Sequence, residues 1–501
     1  MDRRTFLRNA ALGSGAVMLG STALSSCWWG QGAGGGLGAG PPGPGGRNML
    51  EFAASSCPVQ RIVLVMMENR SFDHWLGWMA DDEQYVEAGR SAYGADFAVE
   101  GAVQQTYPGP NGPVATAHML DQLAAENPWR GCGHPDPGHG WNPGRAERDG
   151  GFLAAGSGND QFALGWYEGA DLPFTSQLAK RFCTFDRYHA SVLGPTYPNR
   201  EYFWSGQSGG NKSNTLPPTN EGFQWDTIFD RFNTAGVSWN YFYSDLPFSA
   251  LFGPRLLPKS SPIDDFFERC ANGTLPQVSV VDPGFLTGSR TDNHPHGDIR
   301  AGEAFVRDVF AAFARSRHWR NGMFVLNYDE WGGFYDHVPP PILPDDRTST
   351  LDADNFGQAG FRVPVVMASP YVKPGSVNHR RYDHTSILRF LEWRFLGAPP
   401  EGTGGAAGWS LTSRDRNALN IGASLITTPD PAIDIDLDVA IDPPSPVCAG
   451  EGAPAGAAAT SGDPLPVGDK HSLEEAYDDG YFERVGVDTT PSPMAASWVG
   501  G

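Results

Sequence analysis

Arg61-Ile62-Val63-Leu64-Val65-Met66-Met67-Glu68-Asn69-Arg70-Ser71-Phe72-Asp73-His74 is the stretch whose reading decides the fold. Apolar residues run without interruption from Ile62 to Met67 and stop at a carboxylate, an amide and a guanidinium. A short continuous apolar run of this kind reads as a parallel strand buried on both faces. Open α/β sheets place ligands just beyond the carboxyl ends of such strands, which is where Glu68 and Asn69 fall. Successive side chains of a straight strand point to opposite faces. Glu68 and Asn69 therefore reach one point only if the chain turns between them.

The same device returns downstream. Met323-Phe324-Val325-Leu326-Asn327-Tyr328 reads as a strand that ends in Asp329-Glu330-Trp331-Gly332-Gly333, where glycines again let the chain turn. Val278-Ser279-Val280-Val281-Asp282 reads as another, followed by a loop carrying Asp292-Asn293-His294-Pro295-His296. Val237 to Tyr243 reads as a strand after a short helix, and Val363 to Ser369 as a last strand. Pro364 marks that last one as an edge or as a strand start. Between the strands, residues 303–319 carry Phe305, Val306, Val309, Phe310 and Phe313 at helical spacing, and residues 172–187 read as helix and connection. Asp383-His384-Thr385-Ser386 opens a helix through Leu396 that Gly397 stops, with Asp383 or Thr385 as its N-cap. Alternating strands and helices give an α/β fold with a mainly parallel sheet.

The 501 residues suffice for one large domain with insertions or for two domains. A net charge of −21 with only 36 Lys and Arg argues against nucleic-acid binding through a basic face and against simple electrostatic docking on anionic lipid. At the N-terminus, Arg3-Arg4-Thr5-Phe6-Leu7 resembles a twin-arginine export signal. The apolar run from Ala10 to Leu24 is too short and too weak for a spanning helix. Leu24-Ser25-Ser26-Cys27 resembles a lipobox, which makes residues 1–27 a signal and Cys27 the expected lipid anchor of a cell-envelope lipoprotein, the alternative being a secreted protein cut nearby without lipid. Residues 28–57 read as a Gly/Pro-rich tether, 58–440 as the catalytic domain, and 441–501 as a Pro/Ala/Gly-rich C-terminal tail with a small helix over 471–485. Beyond Cys27 five cysteines remain, none in a CxxC pair; one or two disulfides are expected, with the pairing open.

Three segments carry candidate chemistry. The turn-rich run Cys132-Gly133-His134-Pro135-Asp136-Pro137-Gly138-His139-Gly140-Trp141 puts His139 on a loop. In Gly194-Pro195-Thr196-Tyr197-Pro198-Asn199-Arg200, two prolines and a glycine fix the Thr196 hydroxyl in a turn, and Arg200 is suited to a bidentate phosphate contact. Glu68-Asn69 and Asp329-Glu330 offer oxygen ligands for a divalent cation. With the Thr196 hydroxyl and His139, His294 and His296 these make a phosphoester-cleaving set: the metal lowers the hydroxyl pKa and a histidine protonates the leaving oxygen.

Met67-Glu68-Asn69-Arg70-Ser71-Phe72-Asp73-His74 resembles the signature of the bacterial phosphoesterase family, which contains phosphatidylcholine-cleaving phospholipases C and related acid phosphatases. Four further segments match in order. They are Asp136-Pro137-Gly138-His139-Gly140-Trp141, Thr196-Tyr197-Pro198-Asn199-Arg200, the run from Tyr328 through Asp329-Glu330 to Asp336-His337-Val338, and Asp383-His384-Thr385-Ser386. The resemblance implies an alkaline-phosphatase-like three-layer α/β sandwich with loop-rich insertions. It implies one divalent metal held by Glu68, Asn69, Thr196, Asp329 and Glu330, with Thr196 the nucleophile through a phosphothreonine intermediate. His139 and His294 would bind the phosphoryl group or shuttle protons, Asn199, Arg200 and His296 would contact substrate, and His337 and His384 would be structural. The expected activity is phospholipase C-type cleavage of phospholipid phosphodiesters, with the membrane as partner through the lipid anchor. The alternatives are an acid phosphatase acting on phosphomonoesters and, third, a surface-anchored binding protein on a decayed scaffold. For a choline head group, Trp141, Trp204 and Trp331 are the candidate cation cradles.

Overall fold

The computed structural model describes residues 47–405, 408–430, 433, 435–437, 439–448 and 471–499. The export signal, Cys27, most of the tether and the 449–470 stretch lie outside the described residues. The main sheet has eight strands: β1 (Arg61–Met67), β2 (Cys183–Phe185), β3 (Trp239–Tyr243), β4 (Ser260–Pro262), β5 (Val278–Asp282), β6 (Gly322–Tyr328), β7 (Val365–Ala368) and β8 (Val377–Asn378). Their order is β8-β2-β7-β6-β1-β5-β3-β4, and neighbours run parallel except that β7 is antiparallel to both β6 and β2. Pro364 therefore marks a strand start: β7 begins one residue later and lies inside the sheet.

β1 sits at the centre with every side chain from Ile62 to Met67 buried, as is all of β6. Both faces must then be covered. The short α1 (Phe72–Leu76) follows β1; one group of longer helices comprises α2 (Pro173–Arg181), α5 (Ile263–Asn272), α6 (Ile299–Arg315) and α9 (Pro493–Trp498), packed on one another. The other comprises α3 (Thr196–Ser205), α4 (Ile228–Ala235) and α7 (Thr385–Leu396). The apolar stripe of α6 faces the core as its spacing predicts: Phe305, Val306, Val309, Phe310 and Phe313 are all buried, and Phe310 meets Phe324 of β6 with ring centres 5.3 Å apart. Each such side chain contributes about 1.5–3 kcal/mol by leaving water. The helix starts earlier than the stripe alone indicates because Asp298 caps it, accepting from Arg300 N. At the start of α7 the N-cap position is His384, whose side chain makes no cap bond; Asp383 Oδ1 instead accepts from Thr385 N and Oγ1.

The C-terminal stretch that composition groups with a tail packs on this body. Cys448 is disulfide-bonded to Cys132, while Cys57, Cys183 and Cys270 are buried thiols. α8 (Ser472–Asp478) follows, and in α9 Trp498 packs against Phe305 and Phe267 and donates to Asp308 Oδ2. Among the described residues no helix is long and apolar enough to cross a membrane.

Candidate active site

β1 and β6 are paired so that Met67 stands opposite Tyr328, so Glu68 and Asp329 leave the sheet side by side. The turn that two neighbouring ligands require is present: Asn69 takes the left-handed conformation, φ 58°, uncommon for a residue with a side chain and a mark of functional turns. Its N–H donates to Asp329 Oδ1 (3.3 Å). The turn after β6 packs directly on it. Gly332 has φ 64°, and a Cβ there would lie 2.3 Å from Asn69 O, so only glycine fits. His384 donates from Nε2 to Asp329 O (2.6 Å) and holds the strand end from behind.

α3 brings the third component. Asn199 clamps the turn before it, donating to Gly194 O (2.8 Å) and Pro195 O (3.1 Å) and accepting from Val192 N (2.9 Å). This fixes Thr196 at the first position of α3, where its Oγ1 donates to Glu68 Oε2 (3.3 Å). One turn on, Arg200 is buried. Its Nε and Nη2 lie 3.0 Å from Glu68 Oε1, Nη1 lies 3.0 Å from Asp282 Oδ2, Nε lies 3.4 Å from Asp329 Oδ2, and Nη2 donates to Met66 O. The substrate-contact expectation for Arg200 and Asn199 is thus corrected. The guanidinium is occupied by three carboxylates and the amide by its own loop.

The histidines divide. His139 donates from Nδ1 to Pro137 O (2.7 Å) and turns Nε2 toward Glu330 Oε1, 3.9 Å away. His294 likewise turns Nδ1 to a backbone carbonyl, that of Pro295, and presents Nε2 to Asp136 Oδ2 at 3.6 Å. The rings of His139 and His294 are 5.8 Å apart. Burial lowers the pKa of both, with Arg290 adding to the effect at His294, so both favour the neutral form. His296 is not part of this group: its Nε2 bonds His134 O (2.9 Å), outside the cluster, and the chain turns back after His294, with Gly297 N donating to His294 O (2.7 Å). His337 belongs to a separate buried network with Asp73, Asp336 and Arg362. The three tryptophans are packing residues. Trp204 and Trp331 are fully buried, and Arg145 already lies over the Trp141 ring at 4.0 Å.

Glu68, Asp282, Asp329 and Glu330 are all buried, and burial pushes the pKa of each upward. Glu68 raises Asp329 further and Asp329 raises Glu330, while Arg200 opposes the rise at Glu68, Asp282 and Asp329. A single guanidinium thus faces an excess of buried carboxylates. Asn69 Oδ1, Glu330 Oε1 and Asp292 Oδ2 are buried acceptors with no hydrogen-bond partner among the described residues. Unpaired buried oxygens are costly, and an all-oxygen donor set of this kind fits a hard divalent cation. Asp136, His139 and His294 also converge, each offering a ligand atom within 4.8 Å of the others.

Four residues of this site were not singled out by sequence. Asp282 ends β5 and Asp292 lies in the loop after it; Asp136 was read only as part of its motif. The fourth is His471, whose Nε2 lies 2.9 Å from Glu68 Oε2. The only local signal for it is a residue able to cap α8.

The Phosphoesterase family matches residues 59–396. "Non-specific phospholipase C5" of Arabidopsis thaliana is 32% identical over 369 residues, covering 67% of this chain and 70% of that protein. "Phospholipase C B" of Mycobacterium tuberculosis is 29% identical over 411 residues, covering 70% and 76%. Among solved structures, a protein in the alkaline phosphatase superfamily from Vibrio parahaemolyticus superposes loosely, with a TM-score of 0.31 at 11% identity over 62% of this chain and 72% of its own. With two thirds of its length matched, the chain belongs to the Phosphoesterase family and is a hydrolase acting on phosphoric ester bonds.

Proposed function

We propose that the chain is a metal-dependent, phospholipase C-type phosphoesterase that hydrolyses phospholipid phosphodiesters through a phosphothreonine at Thr196. The observation that carries the reading is the Thr196 hydroxyl, buried at the start of α3 and donating to Glu68 among carboxylates that outnumber their one guanidinium. The names of the relatives support the substrate class.

Glu68, Asn69, Asp329 and Glu330, with Thr196 beside them, would hold one divalent ion, which when bound lowers the hydroxyl pKa and offsets negative charge at phosphorus. The chain's own groups do the rest. The hydrogen bond to Glu68 Oε2 fixes the Thr196 hydroxyl so that an Oγ1 lone pair faces away from that carboxylate. As Oγ1 forms the new bond to phosphorus its proton passes to a neutral histidine Nε2, and as the bond from phosphorus to the glycerol oxygen breaks, that oxygen takes the same proton and departs as the alcohol. His139 and His294 hold or move that proton at Nε2, since each Nδ1 is tied to a backbone carbonyl. Water then attacks the phosphothreonine, a neutral Nε2 takes its proton and returns it to Oγ1 as the bond from Oγ1 to phosphorus breaks, and the phosphorylated head group leaves.

Residues 58–440 are proposed as the catalytic domain, exported by the twin-arginine pathway and anchored through Cys27. The test is a substrate panel of phosphatidylcholine, sphingomyelin and p-nitrophenyl phosphate. Diacylglycerol release from phosphatidylcholine is expected. Robust phosphomonoester turnover without diacylglycerol would replace the phospholipase reading by a phosphatase one.

A further inference from the structure

The family match ends at residue 396, yet a side chain from far beyond it reaches the centre of the site. His471 is fully buried, its ring stacked on Phe285 with centres 4.5 Å apart and edge-on to His294 at 5.6 Å. The segment around it is tied to the body at two places. Tyr197, next to Thr196, donates to Ser472 O (2.9 Å), and Glu474 accepts from Thr287 Oγ1 (2.8 Å) and Arg290 Nη2 (3.0 Å). Upstream, the Cys132–Cys448 disulfide ties the same C-terminal stretch to the loop that carries His139.

The tautomer of His471 follows from its bonds. Nδ1 accepts from Leu473 N (3.0 Å), the capping bond of α8. In a neutral imidazole whose Nδ1 accepts, the proton sits on Nε2. That Nε2–H lies 2.9 Å from Glu68 Oε2, the same oxygen that accepts from Thr196 Oγ1, and makes no hydrogen bond among the described residues. The separation is within hydrogen-bond reach, and the alignment is what the bond lacks. Arg200 holds the opposite oxygen, Oε1.

We propose that His471 is a positioning residue of the phosphoryl-transfer site: the C-terminal segment delivers its Nε2–H to Glu68 Oε2 and orients that carboxylate toward Thr196. The inference rests on the reading of Glu68 as part of that site. Donors behind ligating carboxylates fix their orientation, and losing one costs about 10–100-fold in metal affinity or activity.

Two substitutions separate this role from the capping role. His471→Asn keeps an acceptor for Leu473 N, because asparagine is a strong N-cap, but its side chain is too short to donate to Glu68. His471→Gln gives up the cap while its longer amide reaches toward Glu68. The full-length protein is compared in three measurements: kcat and KM on a soluble phosphate ester, melting temperature, and affinity for Mn2+ titrated into chelator-stripped protein. Expected for Asn is a melting temperature close to the natural one, with kcat and Mn2+ affinity each down about 10-fold or more and KM little changed. Expected for Gln is a lower melting temperature, with kcat and Mn2+ affinity recovered to within about 3-fold of natural. An Asn variant with natural kcat and Mn2+ affinity, or a Gln variant as impaired as Asn in both, overturns the proposal and leaves His471 a cap. If the natural protein turns over no phosphate ester, the functional reading fails instead, and the Mn2+ affinities of the two variants decide the role of His471 alone.

Discussion

Arg200 offers the sharpest contrast between a motif reading and a structural one. As a phosphate-binding arginine it would stand at the mouth of the site, and its loss would raise KM. In the fold it is buried with nitrogens at 3.0, 3.0 and 3.4 Å from Glu68, Asp282 and Asp329. At an effective dielectric of about 20, one such contact is worth roughly 5 kcal/mol before desolvation is counted. Removing one partner of a buried pair costs about 3–5 kcal/mol, mostly from the charge left uncompensated. Arg200→Ala strands three carboxylates at the carboxyl ends of β1, β5 and β6, so we place it at the upper end, about 5 kcal/mol. Against a total stability of about 5–15 kcal/mol such a variant is barely folded. Arg200→Lys is therefore the working variant: a single ammonium replaces the fork and satisfies one or two of the three partners. It should lose about 2–3 kcal/mol in urea unfolding followed by tryptophan fluorescence. A divalent ion should restore part of that loss, since it binds the same carboxylates. If Arg200→Lys unfolds at the natural urea midpoint and only its KM rises, Arg200 contacts substrate and the present assignment is wrong.

Thr196→Ala should lose turnover by orders of magnitude while keeping its melting temperature, and Thr196→Ser should retain part of the activity. Quenched turnover of a labelled substrate should leave phosphate on the peptide containing Thr196, and label on a histidine would remove the threonine mechanism. Chelation should abolish activity; Glu68→Gln and Asp329→Asn should lower metal content by elemental analysis, and full occupancy in both would exclude these residues as ligands. His337 donates to Asp73, and that carboxylate raises its pKa against the opposing effect of burial. A histidine pKa raised by folding adds stability that is fully present below the unfolded value and is lost as pH rises through the folded one. The melting temperature should therefore fall with rising pH above about 6.5, and His337→Ala should flatten that slope; an unchanged slope would show that other groups set it. Arg3→Lys with Arg4→Lys should trap the precursor in the cytoplasm, and Cys27→Ala should abolish partition into detergent.

What was legible in the sequence follows from which interactions are local. β1 and β6 could be read because burial on both faces imposes an unbroken apolar run, and a turn was required once Glu68 and Asn69 were assigned one target; the structure makes it left-handed at Asn69. Arg200 reads the same in its motif whether it faces a phosphate or a cage of carboxylates. Only the parallel register of β1 with β5, Val65 opposite Val281, brings Asp282 within reach of it. His294 and His296 are two residues apart and diverge because the chain turns between them, Gly297 N donating to His294 O, which spacing does not encode. His471 comes from a segment whose composition reads as a tail, and nothing local ties it to Glu68.

The two oxygens of Glu68 show why this matters for mechanism. Oε1 faces Arg200, and Oε2 faces Thr196 and His471. A ligand count from sequence treats the carboxylate as one group, whereas the fold gives it a structural side and a working side. Loss of the partner on Oε1 removes a counter-charge from a buried cluster and should be felt first in stability. Loss of the partner on Oε2 leaves that cluster paired and frees the carboxylate to rotate, so it should be felt in kcat and metal affinity at nearly unchanged stability. The double variant Arg200→Lys with His471→Asn should accordingly unfold close to Arg200→Lys alone, with the kcat deficit following the histidine.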